Sequence, residues 1–301
     1  MTDGKFHIGY FGDGPWAHQA LEKILADASI AVDFICVRYE TRDSVLCQMG
    51  ESHGIPVKCV KNINAPDFLT EMQEIRPDLF VSMSFNQIFR DEMIHLPCYD
   101  TINCHAGKLP FYRGRNILNW ALINDEKEFG VTVHYVDAGI DTGDIILQET
   151  YPITDADTYG TLLERSYGAC SKLLYRAIRQ IQAGMAQRIP QQMIDPIGMY
   201  CGARTEGDEI IDWRQSSRRV FNFIRALTRP GVGATTYLDG EIVKIYAAHE
   251  VPEARRYINT PGQILAKDVD GLTVKTEDTV IRITDYETAA HVRVGMRFQE
   301  K

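Results

Sequence analysis

The sequence predicts an α/β fold: a Rossmann-like, mostly parallel sheet flanked by helices, followed by a small OB-like β-barrel domain. Three observations support this prediction. Apolar strand-like runs alternate with helical stretches through the first half of the chain, which is typical of an open parallel sheet. A stretch with several Pro and Gly residues then lacks clear periodicity, and two Asp-Gly hairpin signals follow it.

The first half of the chain supplies the elements of the sheet domain. Apolar runs of strand length occupy residues 6–11, 32–39, 56–60, 79–84, 100–104, 130–136 and 144–150. Helices are predicted over 114–124 and 158–183, the second long and amphipathic. Because ligands of open parallel sheets bind at the carboxyl ends of strands, we expect functional residues to follow these runs.

The rest of the chain predicts a linker and a second domain. Residues 188–207 are predicted as the linker, which leaves residues 1–187 as the catalytic domain and 208–301 as the barrel domain. Ser217 is expected to cap a helix that ends before Pro230. Hairpins are predicted at Asp239-Gly240 and Asp270-Gly271, between runs at 234–238, 242–247, 272–276 and 280–284.

The composition is that of an ordinary globular chain. It has 301 residues, 45% of them hydrophobic and 24% charged, which is enough for two domains. No apolar run approaches twenty residues and no secretory leader precedes the first strand, so we expect a cytoplasmic protein without a membrane partner. Seven cysteines are scattered without a Cys-x-x-Cys pair, so we expect reduced thiols and no metal site.

The polar residues best suited to chemistry stand at the end of the run at 100–104. Asn103 and His105 are two positions apart on a strand, so their side chains point to the same side. An amide N–H can be aimed at a developing oxyanion, and an imidazole can exchange a proton near neutral pH, so the pair suits acyl transfer. Cys104 should point to the opposite face, where we expect it to pack.

A second loop is expected to bring a carboxylate to this pair. The run at 130–136 leads into Asp137-Ala-Gly-Ile-Asp-Thr-Gly143, a glycine-rich loop that can direct Asp141 back towards His105. Because a carboxylate beside an imidazole favours the imidazolium, Asp141 is expected to raise the pKa of His105 and to orient its ring. His134, inside the apolar strand, is expected to be a core or supporting histidine.

The combined pattern resembles the signature of a known family. Asn-x-His-x-Gly-x-Leu-Pro-x-Tyr-Arg-Gly-x-Asn at 103–116, followed by Asp-x-Gly-x-Asp-x-Gly at 137–143, is similar to that of N10-formyltetrahydrofolate-dependent formyltransferases. The resemblance implies metal-free transfer of a formyl group from N10-formyltetrahydrofolate to an unprotonated amine. It implies that Asn103 stabilises the oxyanion of the tetrahedral intermediate, that His105 transfers the proton and that Asp141 tunes the imidazole.

The same resemblance implies where the folate binds. Family members hold the pteridine largely through backbone groups of two loops, which match residues 87–89 and 137–141 here. The implied cofactor-binding residues are Gln87, Ile88, Phe89, Arg115, Asp137, Ala138, Gly139, Ile140 and Asp141. Without the resemblance, Arg113 and Arg115 would be interpreted as solvated loop charges.

The acceptor is inferred from charge and from the residues after the histidine. A net charge of −9 and a pI near 5.4 argue against a nucleic-acid partner, which usually meets a basic face. Ala106-Gly-Lys-Leu-Pro110 and the following Arg-Gly-Arg-Asn116 look closer to sugar-directed members of the family. We expect a small-molecule acceptor, the amine of a nucleotide-linked amino sugar, with methionyl-tRNA as the alternative. The sequence allows a homodimer.

One alternative belongs to another class of enzyme. Gly12-Asp-Gly-Pro-Trp-Ala17 follows the first strand and fits Gly-x-Gly-x-x-Ala, with Glu40 near the end of the second strand. This pattern would make the chain an NAD(P)-dependent oxidoreductase that uses the Gly12-Asp13-Gly14 turn. In the formyltransferase interpretation, Gly9 and the glycines of this turn only lead the strand into its helix.

Overall fold

The computed structural model describes residues 4–299, which fold into two compact units. The first unit comprises the chain up to Gly114 together with Phe129–Tyr151 and Glu164–Cys201. The second comprises Arg115–Glu128, Pro152–Leu163 and the chain from Gly202 onward. Between residues 4 and 299, no helix combines the length and the apolar character needed to cross a lipid bilayer.

A seven-stranded, mostly parallel sheet forms the centre of the first unit. In chain order the strands of the N-terminal region are β1 (Phe6–Gly12), β2 (Ile30–Cys36), β3 (Val57–Lys58), β4 (Leu79–Met83), β5 (Thr101–His105), β6 (Arg113–Gly114), β7 (Glu128–Tyr135) and β8 (Ile145–Pro152). The sheet has the order β3-β2-β1-β4-β5-β7-β8, while β6 pairs with β9 (Tyr200–Cys201). β4 runs parallel to β1 and β5, whereas β7 runs antiparallel to β5. This order confirms the predicted fold class.

Helices connect the strands. They are α1 (Gly14–Leu25), α2 (Ser44–His53), α3 (Pro66–Ile75), α4 (Asp91–Ile94), α5 (Ile117–Ile123) and α6 (Tyr159–Gln182). The limits of α2 follow from local sequence: the Asp43 carboxylate accepts a hydrogen bond from Leu46 N, and Gly54 ends the helix at a φ of 67°. A short 3₁₀ helix, Gln191–Met193, and β9 lie inside the segment predicted as a linker.

The aromatic core of the first unit explains Gly9. The Phe11 ring packs edge-on against Phe34 and Phe80, at centroid distances of 5.4 and 5.2 Å. A Cβ on Gly9 would lie 2.5 Å from the Phe34 ring and 2.8 Å from the Phe80 ring. Gly9 therefore makes room for this core in the middle of β1, and the interpretation that it only turns the strand into its helix is wrong.

The second unit is built on a five-stranded antiparallel sheet and α7 (Ser217–Leu227). Its strands are β10 (Ala234–Leu238), β11 (Glu241–Glu250), β12 (Ile264–Asp268), β13 (Gly271–Lys275) and β14 (Val280–Thr288), in the order β10-β11-β14-β13-β12. Tyr237 of β10 bridges to Gln299, and Gln263, just before β12, bridges to Arg297. Residues 297–299 therefore bridge to β10 at one edge of the sheet and to the residue before β12 at the other. Because one short segment meets both edges, the sheet curls as a small barrel does.

Two local details of the second unit bear on the sequence predictions. The Asp239-Gly240 hairpin has positive φ at both residues, 51° and 85°, as a type I′ turn requires. The prediction that Ser217 caps α7 is wrong: Ser216 is the cap, and its side chain accepts a hydrogen bond from Arg219 N. Ser217 is the first helical residue, and its backbone N–H donates to Asp278 Oδ1 at 2.8 Å.

Candidate active site

Strand β5 places Asn103 and His105 at its carboxyl end, between β4 and β7. Asn103 faces His134 across the antiparallel pairing, and Asn103 Nδ2 lies 3.3 Å from His134 Nε2. His134 Nδ1 donates to the Tyr135 carbonyl at 2.7 Å, which leaves Nε2 as the acceptor for the amide. This pairing uses one N–H of the Asn103 amide and fixes the orientation of the side chain. His134 is thus a supporting histidine, as predicted.

His105 is held by two contacts in a site where it is only 8% exposed. Its Nε2 donates to the backbone carbonyl of Tyr112 at 2.6 Å, and its Nδ1 lies 3.5 Å from Asp141 Oδ2. Gly107 makes this arrangement possible, because a Cβ there would lie 2.6 Å from both His105 Nε2 and the Tyr112 carbonyl oxygen. The ring is therefore fixed with Nδ1 towards the carboxylate.

The pKa of His105 is set by opposing effects of burial and of its neighbours. Burial lowers it, while the Asp141 carboxylate and the Tyr112 carbonyl raise it and His134 lowers it further. The net result is a pKa below the ordinary histidine value, although Asp141 contributes the increase that was predicted for it. The reason is that the ring loses more hydration than the carboxylate restores, and His105 is neutral at neutral pH.

Asp141 lies between the two histidines. It has a left-handed backbone conformation, with φ of 54°, and its Oδ2 accepts a hydrogen bond from Gly114 N at 2.9 Å. Its Oδ1 lies 3.5 Å from His134 Nε2. Burial alone would raise the pKa of this carboxyl, but His105, His134 and the Gly114 N–H together hold it well below its usual range. Asp141 is therefore a carboxylate throughout the neutral pH range.

The first predicted folate loop, residues 87–89, follows β4 and is fixed from behind. Gln87 Oε1 accepts from Ile63 N at 3.0 Å, and Gln87 Nε2 donates to the Val60 carbonyl at 2.9 Å. Phe89 is buried, while Ile88 between them is 60% exposed. The side chains of Gln87 and Phe89 are thus used to shape the loop, and Ile88 is presented to solvent.

The second predicted folate loop follows β7. Residues 137–140 are exposed, and Asp137 Oδ1 tightens the turn by accepting from Gly139 N at 3.1 Å and Thr142 Oγ1 at 2.5 Å. Both loops therefore follow strands that neighbour β5 in the sheet. Arg115 is exposed and belongs to the second unit, so its predicted folate contact stays a prediction.

Two residues beside this site were not predicted from the sequence. Arg113 is only 7% exposed, so its interpretation as a solvated charge is wrong. Its guanidinium donates to Gln191 Oε1, and Gln191 Nε2 in turn donates to the backbone carbonyl of Asp141 at 2.8 Å. Arg113 belongs to the quoted motif, but Gln191 lies in the predicted linker and carries no sequence signal of its own.

The neighbouring thiol behaves as predicted. Cys104 is buried, and its Sγ lies 3.8 Å from the Cys170 carbonyl of α6, on the face opposite Asn103 and His105. Burial raises its pKa well above the ordinary thiol value. Cys104 is therefore a packing residue. Among residues 4–299, no group of three or more His, Cys, Asp or Glu side chains is placed to hold a metal ion.

The turn proposed for a dinucleotide carries carboxylates where phosphates would bind. Gly14 N donates to Asp43 Oδ2 at 2.8 Å, and the same oxygen lies 2.8 Å from His18 Nε2. Asp13, in the turn itself, pairs with Arg38 at 3.1 Å. Because a pyrophosphate needs the N–H groups at this helix terminus, two carboxylates there disfavour the oxidoreductase alternative.

Comparison with known proteins agrees with this geometry. Two family models match, "Formyl transferase" over residues 10–178 and "Formyl transferase, C-terminal domain" over residues 204–297. The methionyl-tRNA formyltransferase of Pelotomaculum thermopropionicum is 35% identical over 240 residues, covering 80% of this chain and 75% of that protein. The methionyl-tRNA formyltransferase of Halothermothrix orenii is 30% identical over 300 residues, covering 96% and 94%.

Solved structures share the fold. The N-formyltransferase from Helicobacter canadensis, in complex with folinic acid and dTDP-3-aminofucose, has a TM-score of 0.71 at 21% identity and covers 93% of this chain and 100% of its own. With one family model matching more than half of the chain and a second matching its C-terminal part, this protein is an enzyme of the formyltransferase family.

Proposed function

We propose that this enzyme transfers the formyl group of N10-formyltetrahydrofolate to the amine of a nucleotide-linked amino sugar. The observation that carries the proposal is the grouping of Asn103 and buried His105, at the carboxyl end of β5, with the Asp141 carboxylate 3.5 Å from His105 Nδ1. Amine formylation needs a donor for the carbonyl oxygen, a base for the amine proton and a counter-charge for the protonated base. These three side chains supply those three groups.

His105 is the base in this proposal. Its ring is neutral because it is buried, and its Nε2 is engaged with the Tyr112 carbonyl, so Nδ1 is the atom that accepts the proton of the amine. The imidazolium that forms lies 3.5 Å from the Asp141 carboxylate, which stabilises it. Asn103 donates an N–H to the formyl oxygen as negative charge develops there. When the bond between the formyl carbon and the folate nitrogen breaks, His105 gives the proton it took from the amine to that departing nitrogen and becomes neutral again.

The two loops that follow β4 and β7 are proposed to hold the folate. When bound, N10-formyltetrahydrofolate supplies a formyl group that is activated towards amines. Ile88 and residues 137–140 are exposed on loops of fixed shape, which suits recognition of a flat heterocycle by backbone N–H and C=O groups. The Helicobacter canadensis enzyme was solved with folinic acid, a formylated folate, which supports this assignment.

The charge of the second unit favours a small acceptor over tRNA. Residues 202–301 contain 15 Lys or Arg and 15 Asp or Glu, so this part of the chain has no basic excess. Many of its cations are paired with carboxylates, namely Arg214, Arg218, Arg229, Arg256 and Arg282. A nucleic-acid surface needs cations that can neutralise phosphates. The dTDP-3-aminofucose in the Helicobacter canadensis complex provides a precedent for a nucleotide-linked amino sugar.

Methionyl-tRNA is the second candidate acceptor. The observation that favours it is the identity of 30–35% with proteins named methionyl-tRNA formyltransferase. The family models match both domains of the chain, so descent from a common ancestor would produce this identity whichever acceptor the enzyme uses. The amino sugar is therefore the proposal that the charges of this chain favour.

A parallel formylation assay tests the proposal. Purified enzyme and N10-formyltetrahydrofolate are incubated with nucleotide-linked amino sugars that differ in the position of the amine, and separately with initiator methionyl-tRNA. We expect turnover of an amino sugar, with little change in KM between about 50 and 200 mM salt. Turnover of the tRNA alone, with the steep salt dependence of phosphate contacts, would establish the alternative. His105→Ala is the control and should be about 10²- to 10⁴-fold slower with every acceptor.

A further inference from the structure

We propose that Gln191 is a positioning residue for Asp141, and that Arg113 holds Gln191 in place. The inference rests on the proposed function, in which the Asp141 carboxylate stabilises protonated His105. Gln191 is 50 residues from Asp141 in the chain and belongs to a different element, the 3₁₀ helix Gln191–Met193. Its side chain donates to the backbone carbonyl of Asp141, so we expect its main effect on the reaction to pass through the loop that carries this carboxylate.

Gln191 is 3% exposed, and its side-chain amide makes four hydrogen bonds. Its Nε2 donates to the backbone carbonyls of Asp141 and Gly143, each at 2.8 Å. Its Oε1 accepts from Arg113 Nε at 3.0 Å and from Arg113 Nη2 at 2.7 Å. A buried amide whose two N–H groups and two lone pairs are all used has one stable orientation. The two loop carbonyls are therefore held in fixed positions.

Arg113 connects this amide to the loop that contacts both candidate catalytic groups. The residue before it, Tyr112, accepts the His105 hydrogen bond, and the residue after it, Gly114, donates to the Asp141 carboxylate. The Arg113 backbone N–H donates to the Met199 carbonyl at 3.0 Å. The bidentate contact between Arg113 and Gln191 thus joins the loop that fixes His105 to the loop that carries Asp141.

The backbone of Asp141 needs such support. Its φ of 54° is in the left-handed region, which a residue with a side chain rarely adopts. A conformation of this kind persists only where surrounding contacts hold it. The hydrogen bond from Gln191 to the Asp141 carbonyl is one such contact, and its loss lets the carboxylate move away from His105.

A double-mutant cycle tests the inference. Gln191→Met has nearly the same length and removes all four hydrogen bonds. We expect it to lower kcat by about 10- to 100-fold, the scale that a displacement near 1 Å produces, with KM for the acceptor changed about threefold or less. In an Asp141→Asn background the same substitution should lower kcat by about twofold or less, because its effect passes through the carboxylate. Gln192→Met, on the exposed neighbour, is the matched control and should have parental kcat.

Two measurements are made on each variant, kcat and the pKa of His105. The kinetics use the acceptor that is turned over best in the formylation assay, and a ¹⁵N NMR titration of His105 needs no acceptor. Gln191→Met should lower the pKa of His105, because the stabilising carboxylate is displaced. Parental kcat and parental titration in Gln191→Met, or full additivity with Asp141→Asn, would overturn the inference.

A second variant tests the inference if Gln191→Met does not fold. If circular dichroism shows that Gln191→Met is unfolded, Gln191→Glu replaces it, since a carboxylate still accepts from Arg113 but cannot donate to the two carbonyls. The same loss of kcat and the same non-additivity are expected, and parental or additive behaviour would overturn the inference. If Asp141→Asn alone keeps parental activity, it is the proposed role of Asp141 that fails, whereas a failure confined to the Gln191 variants leaves the proposed function standing.

Discussion

Replacing Asp141 by Asn removes one charge from the site and changes little else. The Asn oxygen can still accept the hydrogen bond from Gly114 N that the carboxylate accepts at 2.9 Å. What is lost is the attraction between a carboxylate and an imidazolium that approach to 3.5 Å, in side chains that are 9% and 13% exposed. At that separation and an effective dielectric constant of about 20, the attraction is worth roughly 5 kcal/mol as an upper bound.

The expected cost in rate follows from that attraction. The proton reaches His105 only partly in the transition state, so we expect Asp141→Asn to lower kcat by about 10²- to 10³-fold, which corresponds to roughly 3 to 4 kcal/mol. The assay is steady-state formyl transfer between pH 5 and 9. Asp144→Asn, a change of the same kind in a nearby carboxylate, is the control and should leave kcat within about twofold of the parent.

The pH dependence of the same variant gives an independent check. His105 acts as a base, so activity is lost as pH falls through its pKa, which burial already holds below the ordinary histidine value. Asp141 is one of the groups that raise this pKa, so its removal should move the acid limb of the kcat profile to lower pH while the plateau falls. An unchanged plateau, or an acid limb that moves to higher pH, would refute the reasoning.

Three further outcomes are expected. Asn103→Ala should lower kcat by about 10²- to 10³-fold, as measured by formyl transfer, because it removes an N–H aimed at developing charge. Gly107→Ala should lower kcat at least about tenfold and reduce the Tm, because the new Cβ would lie 2.6 Å from His105 Nε2. Arg218 holds the pKa of Asp125 well below its usual range, so Asp125→Asn should reduce stability by about 1 kcal/mol at pH 7. That difference is present above the unfolded-state pKa, begins to decrease as pH falls below about 4 and is lost as pH falls through the lowered folded-state pKa, so a Tm series between pH 2 and 7 should show the variant and the parent converging.

Local sequence was sufficient to predict that Asn103 and His105 share one strand and that Asp141 lies beside His105. Asn103 and His105 are two positions apart on β5, so one strand presents both, and the glycine-rich loop after β7 delivers Asp141 to them. The hairpin at Asp239-Gly240 was equally local, since both residues adopt the positive φ that their types permit. In each case the geometry depends on neighbours a few residues away.

The effects of burial and of long-range contacts could not be predicted from local sequence. The direction of the His105 pKa depends on how deeply the sheet and the Tyr112 loop enclose the ring. The burial of Arg113 depends on Gln191, 78 residues away, and a glutamine in an irregular segment gives no periodic signal. Gly9 was misinterpreted for a similar reason, because the rings that require its missing Cβ come from other strands.

The central claim is that Asn103, His105 and Asp141 together perform formyl transfer to an amine. Single-turnover transfer from N10-formyltetrahydrofolate to the preferred nucleotide-linked amino sugar, measured for the parent and for His105→Ala, tests it most directly. We expect the product to be formylated on the amine and the rate to fall by about 10²- to 10⁴-fold in the variant. A variant that remains folded and transfers the formyl group at the parental rate would contradict the account.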